Sequence, residues 1–237
     1  MRDVPNNGAP VEDTSRDALS AGPWRDRVVA RSLGAARSQS IDRGAAFVRA
    51  AMEILEVEGE SLTVQDVADR AGFSLRILYR HFASKDDLLA AVLEESLSTA
   101  VKRMRTQSAK ITDPVQRLAT FIADLVSNER TPFTVALAKH ELALRAERAD
   151  EVARAHAPMA QLALEVVSSV ASEGKMTHCR PEDAVSLIFA TTRSYNYSKL
   201  LGDTSGLTVT AGPAAAPAGQ SDVVAYCLRG IGVSANT

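Results

Sequence analysis

The sequence predicts an all-α protein. Apolar residues recur at helical spacing in one segment after another. Ser, Thr, Asp or Pro opens these segments and Gly closes several of them. Strand-like alternation is confined to LTVT at 207–210. With 237 residues, 46% of them hydrophobic, the chain can bury a substantial core.

The elements follow in order. Residues 1–38 lack apolar periodicity and are rich in Pro, Gly, Asn and Ser, so a disordered arm is expected. Its second half carries Arg25, Arg27, Arg31 and Arg37 against Asp26, which suits a solvated tail or an arm following DNA phosphates. A first helix should start near Ser38, run through Ile41, Ala45, Val48, Ala51, Met52 and Leu55, and stop at Gly59. Thr63 with Asp66 opens a short second helix, and Gly72 breaks it. Ser74 is placed to cap a third, within FSLRILYRHF at 73–82. Ser84 caps a fourth, carrying Leu88, Leu89, Val92, Leu93 and Leu97.

The remainder stays helical. Asp113-Pro114 opens a helix to about 128, and Thr131-Pro132 one to about 148. The next, about 150–173, contains Pro158, where a kink or break is expected. Pro181 opens a long helix to Leu201, ended by Gly202. A low-complexity loop at 202–219 precedes a last helix at about 221–229. The chain thus divides into an arm at 1–38, a three-helix helix-turn-helix domain at 39–84, and a helical domain at 85–237 that begins with a connecting helix at 85–104.

Charge singles out the third helix. The whole chain carries a formal net charge of −2, so contact with nucleic acid must be a local patch. Between Arg70 and Lys85 lie Arg70, Arg76, Arg80, Lys85 and His81, with no acid, while the flanking helices are rich in Glu and Asp. Phe73, Leu78 and Phe82 can face inward, leaving Leu75, Arg76, Ile77, Tyr79, Arg80 and His81 exposed or at the edge. A helix fits the major groove, and the arginine fork matches guanine O6 and N7. Ile77 can touch a thymine methyl; Tyr79, His81 and Lys85 suit phosphates. Blander roles exist: Tyr79 can cover the core's edge, His81 can bond a backbone carbonyl, and Lys85 and Arg70 can be solvated. Arg76 and Arg80 resist such readings, being like charges four residues apart with no carboxylate in their helix.

The stretch LTVQDVADRAGFSLRILYRHFASKDDLLAAVLE, residues 62–94, resembles the DNA-binding domain of the TetR family of transcriptional regulators. The resemblance implies that Thr63 caps the second helix and contacts a phosphate. It places Leu75, Arg76 and Ile77 at base edges, Tyr79, His81 and Lys85 on phosphates, and Ser74 among the DNA contacts. Arg80 replaces a residue that is often aromatic in the family, and Arg76 one that is often Gly. Both departures add donors and point to guanines in the operator. Ala83 stands where Pro is common.

The family further implies a homodimer on a palindromic operator in double-stranded DNA, a small-molecule effector cavity, and a place in the bacterial cytoplasm, on the nucleoid when bound. Two copies of so small a head are also what a symmetric site requires physically. The interface would fall on the last two long helices, with Val185, Ile188, Phe189 and Leu200 and with Val223, Val224 and Leu228 as candidates. Pocket candidates are Phe121, Phe133, Leu137, Met159, Leu162 and Val166, with Phe189 and Tyr195. Polar groups would come from His140, Arg145, Gln161, Arg193 and Asn196. Aliphatic side chains favour an apolar or amphipathic effector.

Several classes are not expected. No phosphate loop, GxSxG or HExxH occurs, so no catalytic residue, enzyme activity or cofactor is assigned. His140-Glu141 and His178-Cys179 fall short of a metal-ligand set, so no metal is assigned. Cys179 and Cys227 lack disulfide or CxxC spacing, which suits a reducing cytoplasm. No apolar run approaches the roughly 18 residues of a membrane span, and no secretion signal opens the chain. The function expected is a sequence-specific DNA-binding regulator, a repressor released by a small molecule. The rival is an all-helical protein–protein adaptor that kept the fold but lost DNA binding, motivated by the acidic flanks.

Overall fold

The computed structural model describes residues 23–127, 129–202 and 218–233, with side chains from Gly34 onward. Among these residues there are nine α-helices and no strand. The chain divides into two compact units, Met1–Ala45 and Ala46–Thr237.

In the first unit the expected disorder is corrected from residue 23 on; residues 1–22 lie outside the described ones. Helix α1 runs Pro23–Glu58. Pro suits a first helical turn, and the Arg, Ala and Leu that follow are strong helix formers. Residues 34–42 are exposed throughout. Ile41, expected on a buried stripe, is 61% exposed.

In the second unit, the end of α1 buries Phe47, Ala50, Ala51, Ile54 and Leu55. The pattern rightly placed Ala51 and Leu55 in the core but passed over Phe47. A 3₁₀ turn, Gly59–Ser61, leads to α2, Val64–Ala71. The Thr63 hydroxyl accepts from the Asp66 N–H, and Gly72 ends α2 at φ +76°. Helix α3, Leu75–His81, follows at once. Ser74 stands at its cap position without a side-chain bond to the helix. Leu78 is fully buried and pins α3 against Val67, Ala68 and Phe47 in one cluster. Helix α4, Lys85–Ser108, opens with the Ser84 hydroxyl accepting from the Asp87 N–H. It extends four residues beyond the expected connecting helix.

A larger core lies among α4, α5 (Pro114–Val126), α7 (Ala149–Ser172), α8 (Pro181–Leu201) and α9 (Gln220–Gly230). Leu118, Ile122, Val126, Val167 and Val170 are fully buried in it. The expected break at Pro158 does not occur: α7 is continuous. An interior proline costs about 3 kcal/mol, whereas each large buried side chain returns about 1.5–3 kcal/mol. Val152, Met159, Leu162, Val166, Val167 and Val170 are all buried on α7, so packing wins. Helix α6, Pro132–Glu147, packs against α4, α7 and α8, and its Ala136 is buried in the cluster around α3. The expected loop with LTVT falls mostly in 203–217, outside the described residues.

The candidate interface residues mostly face inward within one chain. Val185, Ile188, Val223 and Leu228 are buried in the larger core and Val224 packs against it. Leu200 is buried and Phe189 half-buried. Apolar periodicity marks a buried stripe without saying whether the same chain or a partner buries it. The outward faces instead carry Leu187 on α8, 52% exposed, and Tyr226 on α9, 64% exposed.

At Gly72 a Cβ would meet nothing within 4 Å, so the cost of substitution there is that of the backbone alone. Gly72→Ala is expected to lower stability by about 1–2 kcal/mol, the penalty for an L-residue in the left-handed region. Urea unfolding should show a lower midpoint with an unchanged slope.

Candidate functional site

The reading surface is built from α2, the turn at Gly72 and α3. With Leu78 anchored, helical geometry turns Arg76, Tyr79 and Arg80 outward, and all three are exposed. Tyr79 keeps 49% of its surface in solvent, too much for a core side chain. Leu75 and Ile77 are half-buried against the small core and present only an edge. The His81 ring rests on Phe47, with centroids 5.9 Å apart, so part of its role is structural. Lys85 Nζ donates to the Leu62 carbonyl at 2.6 Å, which ties the start of α4 to the start of α2 and leaves two ammonium protons free. Thr63 bonds Asp66 and is exposed, as is Ser74.

Charge on this surface is unevenly satisfied. Arg70 pairs with Glu53 at 3.7 Å. Arg76 and Arg80 have no carboxylate partner among the described residues. Two guanidinium groups four residues apart on an exposed helix repel each other, and an anion between or beyond them relieves that. Binding phosphate oxygens or guanine edges is what such a face can do chemically.

A second site lies among α4–α8. A cavity of about 360 Å³ is walled by Leu93, Leu97, Phe133, Leu137, Met159 and Phe189. One part of it is polar. Glu141 Oε1 accepts from Arg145 Nε at 3.0 Å and from His156 Nε2 at 3.0 Å. The Glu141 side chain is only 13% exposed. Asn196 and Tyr197 also line the space, with Arg193 near them on α8. Asp124 and Arg103 complete the charged lining, and burial raises the Asp124 carboxyl against the pull of Arg103.

Residues 47–92 match the family model described as bacterial regulatory proteins, tetR family. That segment is a DNA-binding head of the tetR type. Over 76 residues it is 34% identical to the HTH-type transcriptional activator FasR of Mycolicibacterium smegmatis, a match covering 32% of this chain. That match spans about a third (35%) of FasR's own length. Solved structures share the fold. RolR in complex with resorcinol superposes with TM-score 0.61 at 16% identity, over 83% of this chain and 91% of that one. A TetR transcription regulator from Haloarcula marismortui gives 0.56 at 23% identity, over 69% and 89%. The fatty acid degradation regulator FadR from Bacillus halodurans gives 0.54 at 19% identity, over 78% and 94%.

The structure brings together Phe133, Leu137, Met159, Phe189 and Arg193 of the expected pocket, with Arg145 and Asn196. It does not bring the others. Phe121, Leu162 and Val166 are buried in the core, Tyr195 packs against it, and Gln161 is exposed. His140 lines a different cavity, of about 350 Å³, with Leu62, Lys85, Asp86 and Ala136. Phe121, Leu162 and Val166 lie where large apolar residues more often do, filling space rather than lining it. The trio Glu141, His156 and Tyr197 was missed. The four-residue spacing of Glu141 and Arg145 was a visible signal; the approach of His156 depends on how α6 and α7 fold back on each other.

Burial pushes the Glu141 carboxyl up, but hydrogen bonds and charge from His156 and Arg145 outweigh it and hold it down at about 2, from an ordinary 4.5. A depressed carboxylate stabilises the fold in full above its unfolded pKa and loses that contribution as pH falls to its folded one. Between about pH 4.5 and 2 the chain should therefore lose stability on the order of 3 kcal/mol from this group. Denaturant unfolding of Glu141→Gln should show the deficit near neutral pH, shrinking toward zero across that window.

Proposed function

We propose that the chain is a homodimeric DNA-binding transcriptional regulator, a repressor released from a palindromic operator when a small molecule fills the cavity. The observation that carries this is the outward, unpartnered pair Arg76 and Arg80 on a helix locked by Leu78. In this reading both arginines reach guanine edges, and Leu75 and Ile77 touch thymine methyls with their exposed edges. Thr63, Ser74, Tyr79, His81 and Lys85 hold phosphates and set register. The protein would work in the bacterial cytoplasm, on the nucleoid when bound. The adaptor reading is not favoured, since it leaves two adjacent guanidinium groups without a purpose.

Release follows from α6. Its Phe133 and Leu137 wall the cavity, while its Ala136 is buried in the core that holds α3. A molecule that shifts α6 therefore shifts the seat of the head. The resorcinol bound in RolR, and the stearoyl-CoA bound in FadR from Bacillus subtilis, support a small-molecule role for a cavity in this fold. FasR is called an activator, but its match covers only 76 residues, about a third of either chain, which does not fix the sign of control here. The exposed Leu187 and Tyr226 give α8 and α9 an outward apolar surface on which a second copy can seat.

Gel shifts with the gene's own upstream region test the reading. Arg76→Ala and Arg80→Ala should each cost about 1–3 kcal/mol in operator binding and relax base preference, while Lys85→Ala weakens all sequences alike and flattens the salt dependence. Arginine variants that bind every fragment as the parent does would end this assignment. In sedimentation, Leu187→Glu should shift the protein toward a folded monomer, since a charge at the centre of an apolar contact is left unpaired.

A further inference from the structure

The polar end of the cavity contains two buried atoms without a well-formed hydrogen bond, beside a carboxylate with one oxygen to spare. Asn196 Nδ2 donates to the Leu125 carbonyl at 2.8 Å, which fixes the amide's orientation. Its Oδ1 is left as a buried acceptor without a partner. The Tyr197 hydroxyl is also buried without a well-formed hydrogen bond, although it lies near enough to Arg145 and Glu141 to interact weakly with both. Burial raises its pKa, so it keeps its proton. Three donor atoms, two from Arg145 and one from His156, converge on Glu141 Oε1, which leaves Oε2 the freer oxygen. Buried polar atoms such as Asn196 Oδ1 are rarely left without a partner, and a ligand or water is the usual explanation.

The inventory selects a ligand chemistry. An amide oxygen and a carboxylate oxygen can only accept; a tyrosine hydroxyl can donate or accept. The missing partner therefore brings donors and offers an acceptor. Charge narrows it further. Arg145 and His156 already face Glu141, so a cation would leave water without a counter-charge of its own. An anionic end would meet the Glu141 carboxylate and the Asn196 oxygen. Apolar walls at Phe133, Met159 and Phe189 take the remainder.

We propose that the effector is a neutral, apolar molecule bearing hydroxyl groups, of the alcohol or phenol class. Its hydroxyls donate to Asn196 Oδ1 and Glu141 Oε2 and accept from Tyr197. This rests on reading the cavity as the effector site, and it specifies what that site selects.

The test is calorimetric titration of the full chain, without DNA, against four matched probes: 4-butylphenol, 4-butylanisole, 4-butylbenzoate and 4-butylbenzylamine. The phenol should bind about tenfold or more tighter than each of the others, the factor that one buried polar group left unpaired is worth. Asn196→Leu should bring phenol and anisole to within about threefold, because it removes the acceptor for the proton that the ether lacks. Tyr197→Phe removes a donor that either ligand oxygen can accept from, so it should weaken both alike and leave their ratio unchanged. Thermal melts establish that each variant folds, and the phenol-to-ether ratio within one protein cancels any general loosening. Equal binding of the ether, tighter binding of the benzoate or the amine, no binding of any probe, or a preference kept in Asn196→Leu overturns the assignment. Operator binding is measured separately by gel shift, so loss of phenol selectivity with operator binding intact fails this inference alone. Absence of operator binding fails the proposed function.

Discussion

Helix α6 is the constraint on which the rest of the structure depends, because one face walls the cavity and the other seats the reading head. The row Phe133, Leu137, Glu141 and Arg145 lines the cavity. The row that includes Ala136, Lys139 and His140 meets the 3₁₀ turn before α2 and the start of α4. Residues four apart share a face, so a single helix presents both rows without distortion. Glu60 takes the Lys139 ammonium at 2.6 Å, and Asp87, in the first turn of α4, takes the Arg148 guanidinium at 2.7 Å. The first pair is half-exposed and the second still reaches solvent, so they fix register and contribute little stability. The apolar seat of Ala136, 6% exposed, is the firm part of the joint.

The reading head shows how a near-neutral chain of net charge −2 can carry a DNA-facing surface. Binding responds to the local field, and that field is set within one Debye length, about 8 Å at physiological salt. Neutralising Arg70 with Glu53 confines the positive charge to α3 and its margins. Lys85 serves twice, closing the Leu62 carbonyl and keeping its remaining protons for an anion. Such double use is economical of residues but means that a Lys85 substitution touches packing as well as charge.

Much of the fold was legible in the sequence because its signals are local. Thr63, Gly72, Ser84, Asp113, Thr131, Pro181 and Gly202 mark helix ends through their own backbone chemistry, and the structure places ends at or next to each. Residues 23–38 were misread because helix propensity there is carried by Arg, Ala and Leu with no apolar stripe, and periodicity was the criterion. The outward set on α3 was legible for the same local reason: Leu78 fixes the phase of seven residues. The cavity was not. Which of Phe121, Phe133, Leu162 and Phe189 lines a void depends on how five helices cross, and no pattern within one helix encodes that. The Glu141–His156 contact joins residues 15 apart on different helices, beyond the reach of any spacing rule.

A filled cavity can act on the head only through a difference in how the two arrangements of α6 bind the ligand. Close-packed interiors do not deform smoothly; they step between discrete packings. Phe133 and Leu137 lie against both the cavity and the head cluster, so a molecule that presses on them leaves Ala136 with a choice between its present seat and a displaced one. The polar end supplies the difference. Glu141 and Arg145 lie on the same row as Phe133 and Leu137, one and two turns along. Asn196, by contrast, is tied to α5 through the Leu125 carbonyl. In the proposed reading, a ligand held between Asn196 and Glu141 would bridge a wall tied to α5 and the helix that seats the head. Its hydrogen bonds would be strongest at one separation of the two, and that separation, rather than the bulk of the ligand, would select which position of the head is populated.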